Sequence, residues 1–198
     1  FYEENRSLPG VAGVNRYRNV QVTYQGMPIS VSAVDASVLQ EYTHFGWLKG
    51  GNENWEPVKK GGVIISESFG RRFGMQAGDR IALEGIHGPV PLKVAAVFYD
   101  YTTEHGVVMM DHGTYLAVFG DHTINSVDFF LDAGNPRRQD LLREIRDKAK
   151  RWGLPVTTRD QVHGNILAVF DATFAVTRSM RVMTIIVAFF GIAGALLA

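Results

Sequence analysis

No cysteine occurs among the 198 residues of the chain. That single gap removes disulfide frameworks, thiolate zinc sites, iron–sulfur ligation and cysteine nucleophiles together. It leaves the compartment open, because cytosolic and extracytoplasmic proteins alike can do without the residue. Net charge is missing as well, since 20 Lys and Arg face 20 Asp and Glu. A nucleic-acid binder needs surplus cations to displace counterions, so no nucleic acid is expected as a partner. Neither a G-x-x-x-x-G-K-[ST] loop nor a G-x-G-x-x-G fingerprint is present, which speaks against nucleotide binding within this chain. His44, His87, His105, His112, His122 and His163 do not fall at ligand spacings on a helix, so no metal site is expected.

Charge is absent in another sense after Arg181. From Val182 to Ala198 the chain reads VMTIIVAFFGIAGALLA, in which Thr184 is the sole polar side chain. As a helix this stretch covers about 25 Å, slightly less than a ~30 Å hydrocarbon core. A buried core helix is the alternative, but those carry shorter apolar runs; Gly191 and Gly194 among bulky residues also suit a membrane span. The run continues to the last residue, and the first residue is Phe1, so the sequence reads as a piece of a longer protein. Upstream, Val162, Ile166, Phe170, Phe174 and Thr177 recur at helical spacing, and Thr158 with Gln161 has the form of a capping box. One long helix from about 159 to 198 is expected, amphipathic over 159–181 and apolar over 182–198. Two helices with a turn near Thr177–Ser179 are the other reading.

The remaining residues mix short strands with a few helices. Val11–Tyr17, Val20–Tyr24 and Ile29–Val34 are strand-like, with hairpin chemistry at Gln25-Gly26-Met27-Pro28. Ala36–Tyr42 suits a short helix, and the turn-rich stretch from Lys49 to Pro57 a loop between subdomains. Val63-Ile64-Ile65 is a strand, Ser66 caps a helix over Glu67–Phe73, and Gly74 ends it. Strands from Arg80, over Pro89–Phe98 and over Gly106–Met110 suggest a small antiparallel β unit or barrel. Asp111 or Thr114 caps a helix through Phe119. A strand at Ser126–Leu131, a helix at Pro136–Trp152 and a strand at Pro155–Thr157 form a strand–helix–strand unit of ferredoxin-like type. In that helix Leu141, Leu142, Ile145, Ala149 and Trp152 make one apolar stripe, and the opposite face carries a surplus of Arg and Lys.

The order and spacing of several motifs resemble the FtsX/MacB-type ABC transporter permeases over roughly residues 8–198. The residues that carry the likeness are Val63-Ile64-Ile65-Ser66-Glu67-Ser68, then Phe73-Gly74-Met75-Gln76-Ala77-Gly78-Asp79. Val90–Phe98 with Asp100, Gly106–Asp111 with Tyr115, and Phe170–Thr177 before the apolar run are similar too. The resemblance implies a two-lobed α+β domain outside the cytoplasm. A porter-like βαβ lobe would take 1–57 and 123–158, an inserted β-rich lobe 58–122, a stalk 159–181 and a transmembrane helix 182–198. It further implies a cell-membrane protein with residues 1 to about 180 on the extracytoplasmic side. The implied partners are a cytoplasmic ABC ATPase subunit, a second permease copy or paralogue, an extracytoplasmic protein and membrane lipid. Export or extraction of lipid, lipoprotein or hydrophobic compounds, or force transmission, would be the function. Arg178 and Arg181 sit at the start of the span, where the positive-inside rule would place a cytoplasmic flank.

No catalytic residue, cofactor site or metal site is assigned, and the chain is not expected to be an enzyme. Ser66 follows a strand and precedes a helix, but Ile64-Ile65-Ser66-Glu67-Ser68 is not the G-x-S-x-G nucleophile elbow. Asp100, Glu104 and His105 are the best acid–base cluster, in a turn where polar residues are ordinary. Phe98-Tyr99-Asp100-Tyr101, Trp47 and Trp55 could form an aromatic binding surface or pack internally. A membrane-tethered sensor domain is the alternative function, and a membrane-anchored hydrolase a third.

Overall fold

After one helical turn, α1 (Tyr2–Asn5), the chain enters a long strand, β1 (Val11–Tyr24), and returns along β2 (Met27–Val34). The turn between them is Gln25-Gly26, with φ of 49° and 77°. Both values are positive, the type I′ geometry whose twist matches that of the paired strands. The two expected strands at 11–17 and 20–24 are therefore one, and Met27 and Pro28 belong to β2 rather than to the turn. Helix α2 (Ala36–Tyr42) follows, then a 3₁₀ turn over Asn52–Asn54 and helix α3 (Trp55–Lys59). The expected loop over 49–57 thus ends in a helix, with Trp55 fully buried as its first residue. The remaining elements are β3 (Val63–Ser66), α4 (Glu67–Phe73), β4 (Arg80–Gly85), β5 (Gly88–Phe98), β6 (Val107–Asp111), α5 (His112–Phe119), β7 (Ser126–Leu131) and α6 (Arg138–Arg151). The computed structural model describes residues 1–100, 103, 105–132, 134–159, 161, 174, 177–190 and 192. Two compact units, Phe1–Arg143 and Glu144–Ala198, divide the chain within α6.

In the first unit the seven strands form one open mixed sheet of order β4-β5-β3-β6-β2-β1-β7. β2 runs parallel to β6 and β3 parallel to β5, while the β1–β2, β1–β7, β3–β6 and β4–β5 pairs are antiparallel. The strands expected to make a small antiparallel unit or barrel instead include parallel pairs and belong to this sheet, joined to β2 through β6. Side chains alternate between two buried clusters, one per face. Ile29, Val31, Val63, Ile65, Val108 and Met110 meet Phe69 of α4 and Tyr115 and Val118 of α5. Val34, Ile64, Val107 and Met109 meet Leu39 of α2 and Trp55 and Val58 of α3. The architecture is α+β, a mixed sheet with helices on both faces.

A bulge between the Val63↔Val94 and Ile64↔Ala96 pairs inserts one extra residue into β5. Beyond it the faces exchange, so Val94 and Val97 share one cluster while Ala96 and Phe98 join the other. Phe98 is thereby brought to Phe45, with ring centroids 5.4 Å apart, and Phe45 to Trp55 at 5.0 Å. Each large side chain so buried contributes roughly 1.5–3 kcal/mol relative to exposure.

In the second unit, the end of α6 is closed by Gly153 at φ 66°. Residues 154–158 have no regular structure, so the strand expected at Pro155–Thr157 is not formed. Pro155 has no N–H to give to a ladder. The capping box at Thr158 and Gln161 is present, with the Thr158 N–H donating to Gln161 Oε1 at 3.0 Å and the Gln161 N–H to Thr158 Oγ1 at 3.4 Å. Residues 177–190 are helical, and their side chains are exposed, Val187, Phe189 and Phe190 each to 69%. Much of the expected stalk, and the expected transmembrane residues 191 and 193–198, lie outside the described residues. Among the described residues no helix is long and apolar enough to cross a membrane.

Candidate functional site

The polar side chains that the fold gathers lie where parallel β2 and β6 end and the chain leaves each for a helix on opposite faces. β1 pairs with β2 from Arg18 to Tyr24 and with β7 from Val11 to Tyr17, so β1 changes partner near Arg16. Asp35 stands where β2 would have continued. Its carboxylate accepts the Arg16 backbone N–H at 2.6 Å and the Arg16 Nε–H at 3.0 Å, and it pairs with the terminal guanidinium nitrogen as well. A side chain thus replaces the ladder acceptor lost when β2 stops. Asn15 completes the seam. Its Oδ1 accepts the Asp35 N–H at 2.8 Å, and its Nδ2 donates to Asp128 Oδ2 on β7 at 2.9 Å.

Asp35 precedes α2 in the position of an N-cap, yet its side chain makes no cap bond there. Asp111, at the end of β6, serves that helix instead. Its Oδ2 accepts the Ala36 N–H at 3.1 Å, and its Oδ1 accepts the Gly113 N–H of α5 at 2.9 Å. One carboxylate therefore holds the first turns of two helices that cover opposite faces of the sheet. Next to it His112 is only 9% exposed and its Nε2 has no hydrogen-bond partner among the described residues. Burial, and then the Arg16 charge, hold its pKa below the ordinary value, so the ring is neutral near pH 7. Arg16 is held the other way, above its ordinary value, first by the hydrogen bonds of Asp35.

A second knot ties the β6–α5 arm back to β1. Asp121 accepts from Arg18 Nε at 2.9 Å, from the Tyr115 hydroxyl at 3.0 Å and from the Thr123 N–H at 2.9 Å. Its pKa is far below the carboxylate range, first through the Thr123 hydroxyl and backbone N–H.

Ser66 is wholly buried; its Oγ accepts the Phe69 N–H at 3.2 Å and the Val107 N–H at 2.9 Å, and lies 2.9 Å from Ser68 Oγ. It caps α4 and joins it to β6, with no base beside it. Asp100 accepts the Thr103 hydroxyl at 2.7 Å, and the His105 carbonyl accepts from Arg72. Glu104 lies outside the described residues, as do Tyr101 and His163. His44, His87, His105 and His122 are exposed and His112 is buried, and no metal-binding group of acids and histidines forms among the described residues. Of the aromatics, Trp47, Trp55 and Phe98 pack around Phe45, with Trp47 and Trp55 5.5 Å apart in a T-shaped pair, whereas Tyr99 is 39% exposed. A groove of about 440 Å³ between β5 and α5 is lined by Lys59, Asp111, Val90, Leu92 and Val118 among others. The Lys59 ammonium is engaged by Glu56 at 2.6 Å and Gln40 at 2.8 Å, and the Asp111 oxygens by backbone N–H groups, so both of these charges are already paired.

Sequence reasoning identified Ser66 as a cap and offered Asp111 or Thr114 for the later helix, of which the structure takes Asp111, but it missed the Asp35–Arg16–Asn15 seam. The nearest signal was Asp35 just before a helix, which points to capping and not to a partner in β1.

No family model matches the chain. It is 29% identical over 195 residues to the uncharacterized ABC transporter permease protein Rv0987 of Mycobacterium tuberculosis, which covers 96% of this chain and 23% of that protein. The chain thus spans about a quarter of that relative's length. Among solved structures, the periplasmic region of MacB from Actinobacillus actinomycetemcomitans superposes with a TM-score of 0.58 at 9% identity, covering 83% of this chain and 79% of that one. The extracellular domain of the noncanonic ABC-type transporter YknZ, from Gram-positive bacteria, gives 0.52 at 13% identity, covering 75% and 81%. The chain is similar in sequence to an ABC transporter permease and has the fold of the extracytoplasmic domains of the MacB and YknZ transporters.

Proposed function

We propose that the chain is the extracytoplasmic domain of an ABC transporter permease subunit, followed by the start of a membrane helix. The observation that carries the reading is the sequence match, which extends over 96% of the chain. The fold likeness supports the same assignment. On this reading a cytoplasmic ATPase partner hydrolyses ATP and moves the membrane helices. The segment after Thr158 passes that motion to the domain, which itself catalyses nothing. The β-rich stretch 58–122 and the segments 1–57 and 123–158 act as two lobes. A lipid, a lipoprotein, another hydrophobic compound or a protein partner outside the membrane receives the work.

The sheet geometry suits that role. Force entering a mechanical domain has to cross from one element to another without breaking a buried contact. Asp35, Asp111 and Asp121 are three such cross-element ties, each made of charge-assisted hydrogen bonds.

The 198 residues hold no cysteine, so a full-length protein with any other cysteines replaced by serine gives a clean background for the test. Single cysteines placed at exposed Glu41 or Glu84 in the full-length protein are treated with a membrane-impermeant maleimide in intact cells. Labelling from outside is expected. Labelling only after the membrane is opened overturns the placement. An exposed 182–190 helix that stays in the aqueous fraction after membrane separation would also overturn it.

A further inference from the structure

Helix α5 is lightly held. Gly113, Thr114, Tyr115, Val118 and Phe119 are all weak helix formers, and they make up most of its eight residues. Only His112, Tyr115 and Val118 are buried, while Leu116 and Ala117 are exposed. The groove toward β5 runs along Gly113, Thr114, Ala117 and Val118, so one flank of the helix borders open space. Elements with few buried side chains are the ones that open locally without the rest of the fold.

Of the three buried side chains, one can gain a charge. His112 is the first residue of the helix, and its buried Nε2 has no hydrogen-bond partner among the described residues. A neutral imidazole can leave one nitrogen as a bare acceptor, whereas an imidazolium donates from both. Protonation therefore makes Nε2 a buried donor with nothing to receive it. It also sets positive charge at the positive end of the helix dipole.

Charged neighbours reach His112 from each element around it. Arg16 of β1 opposes the proton, while Asp35 after β2, Asp111 of β6 and Asp121 beyond α5 favour it. These three carboxylates are already committed: Asp35 to Arg16, Asp111 to the Ala36 and Gly113 N–H groups, and Asp121 to Arg18, Tyr115 and the Thr123 N–H. The Tyr115 ring lies 6.3 Å from the imidazole and in a T-shaped arrangement. Strand β4, which also packs on α5, buries only uncharged Ile81 and Leu83 in the shared cluster.

We propose that His112 is an acid-sensitive latch: on protonation the first turn of α5 parts from the sheet and widens the groove over Val90 and Leu92. Release lets Nε2 donate to water and moves the new charge away from Arg16. The far end of the helix stays tied, through the Tyr115 hydroxyl on Asp121 at 3.0 Å and the Gly120 N–H on the Leu116 carbonyl at 2.8 Å. The movement is thus a hinge at that end, and acid uncovers apolar surface that is shaded at neutral pH. On the placement proposed above the latch meets the pH outside the cell; its existence does not rest on that placement.

The test is amide exchange read by mass spectrometry on the full chain in detergent micelles, at pH 7 and pH 5. Rates are converted to protection factors, which removes the pH dependence of the chemistry itself. Peptides over 112–119 are expected to lose protection several-fold at pH 5, while peptides over 67–73, helix α4 on the same face, keep theirs. The loss should vanish in His112→Phe and in His112→Gln, whichever melts with the original protein at pH 7 serving as the control. The comparison of α5 with α4 needs no variant. Unchanged protection of α5 at pH 5, an equal loss in α4, or a loss that persists in the control variant overturns the latch. None of these results alters cysteine labelling from outside the cell, which tests the membrane placement separately.

Discussion

Strand β3 and the helical residues 182–190 are both almost purely apolar, and they meet opposite fates. All of Val63, Ile64 and Ile65 are at 0% exposure, enclosed by β5, β6 and helices on both faces. Along the helix, Val182, Met183, Ile185, Ile186, Val187, Phe189 and Phe190 are all exposed, by 45% to 69%. Hydrophobicity states only that a segment leaves water. What covers it is settled by the length of the run and by what else the chain can bring to it. A four-residue strand can be roofed by its own protein, whereas an uninterrupted apolar helix offers no polar face to turn outward.

The sharpest way to break this comparison is a pair of truncations. Trp55→Ala empties a fully buried site and is expected to destabilise the domain by about 3–5 kcal/mol, seen as a fall in thermal midpoint. Phe189→Ala removes an aromatic ring from an exposed site and is expected to move the same melt by less than about 0.5 kcal/mol. Equal effects would mean that the helix is covered by protein.

Polar groups in the covered region sharpen the contrast. Asp35→Ala leaves the Arg16 guanidinium and its backbone N–H without their acceptor, at an expected cost of about 2–3 kcal/mol in denaturant unfolding. Arg16→Met in the same background should recover part of it, because the uncompensated charge is then gone. Ser66→Ala strands both the Phe69 and the Val107 N–H and is expected to cost about 2 kcal/mol.

The smallest effect concerns His112. Burial and Arg16 lower its pKa below 6.5, while Asp35, Asp111 and Asp121 act in the opposite direction. The unfolded chain therefore takes up a proton first as pH falls, and stability is lost between pH 6.5 and the lowered value. His112→Phe removes this titration and the unpaired Nε2. Melts of the variant should match the original protein near pH 7 and exceed it increasingly toward pH 5. A constant difference across that range would show that His112 does not titrate differently on folding.

Local chemistry was the readable part of this sequence. Ser66 and Gly74 bracket α4, Asp111 and Gly120 bracket α5, and Gln25-Gly26 turns the hairpin, each as its neighbours alone require. The same reasoning read 49–57 as a loop, because the helical signal of Trp55–Lys59 is a single turn that exists to bury Trp55 and Val58 against the sheet. It also read the strands from Arg80 to Met110 as antiparallel neighbours, since nothing near Val107 records that β6 will lie parallel to β2, with Val107 beside Ser30.

From its sequence alone the protein was determined to be thiol-free, neutral and strongly divided between a mixed α+β region and an uncharged apolar end. Caps, turn residues and side-chain periodicity act over a few residues, so they survive in the linear order. Tertiary structure decided that β2 and β6 run parallel and that Asp35 answers Arg16 rather than its own helix. It also decided that one carboxylate at Asp111 holds two helices and that Trp152 stands uncovered at the end of a buried stripe. Those outcomes depend on chain segments meeting across long separations, where the free energy lies in shared burial and completed hydrogen bonds that no single segment contains.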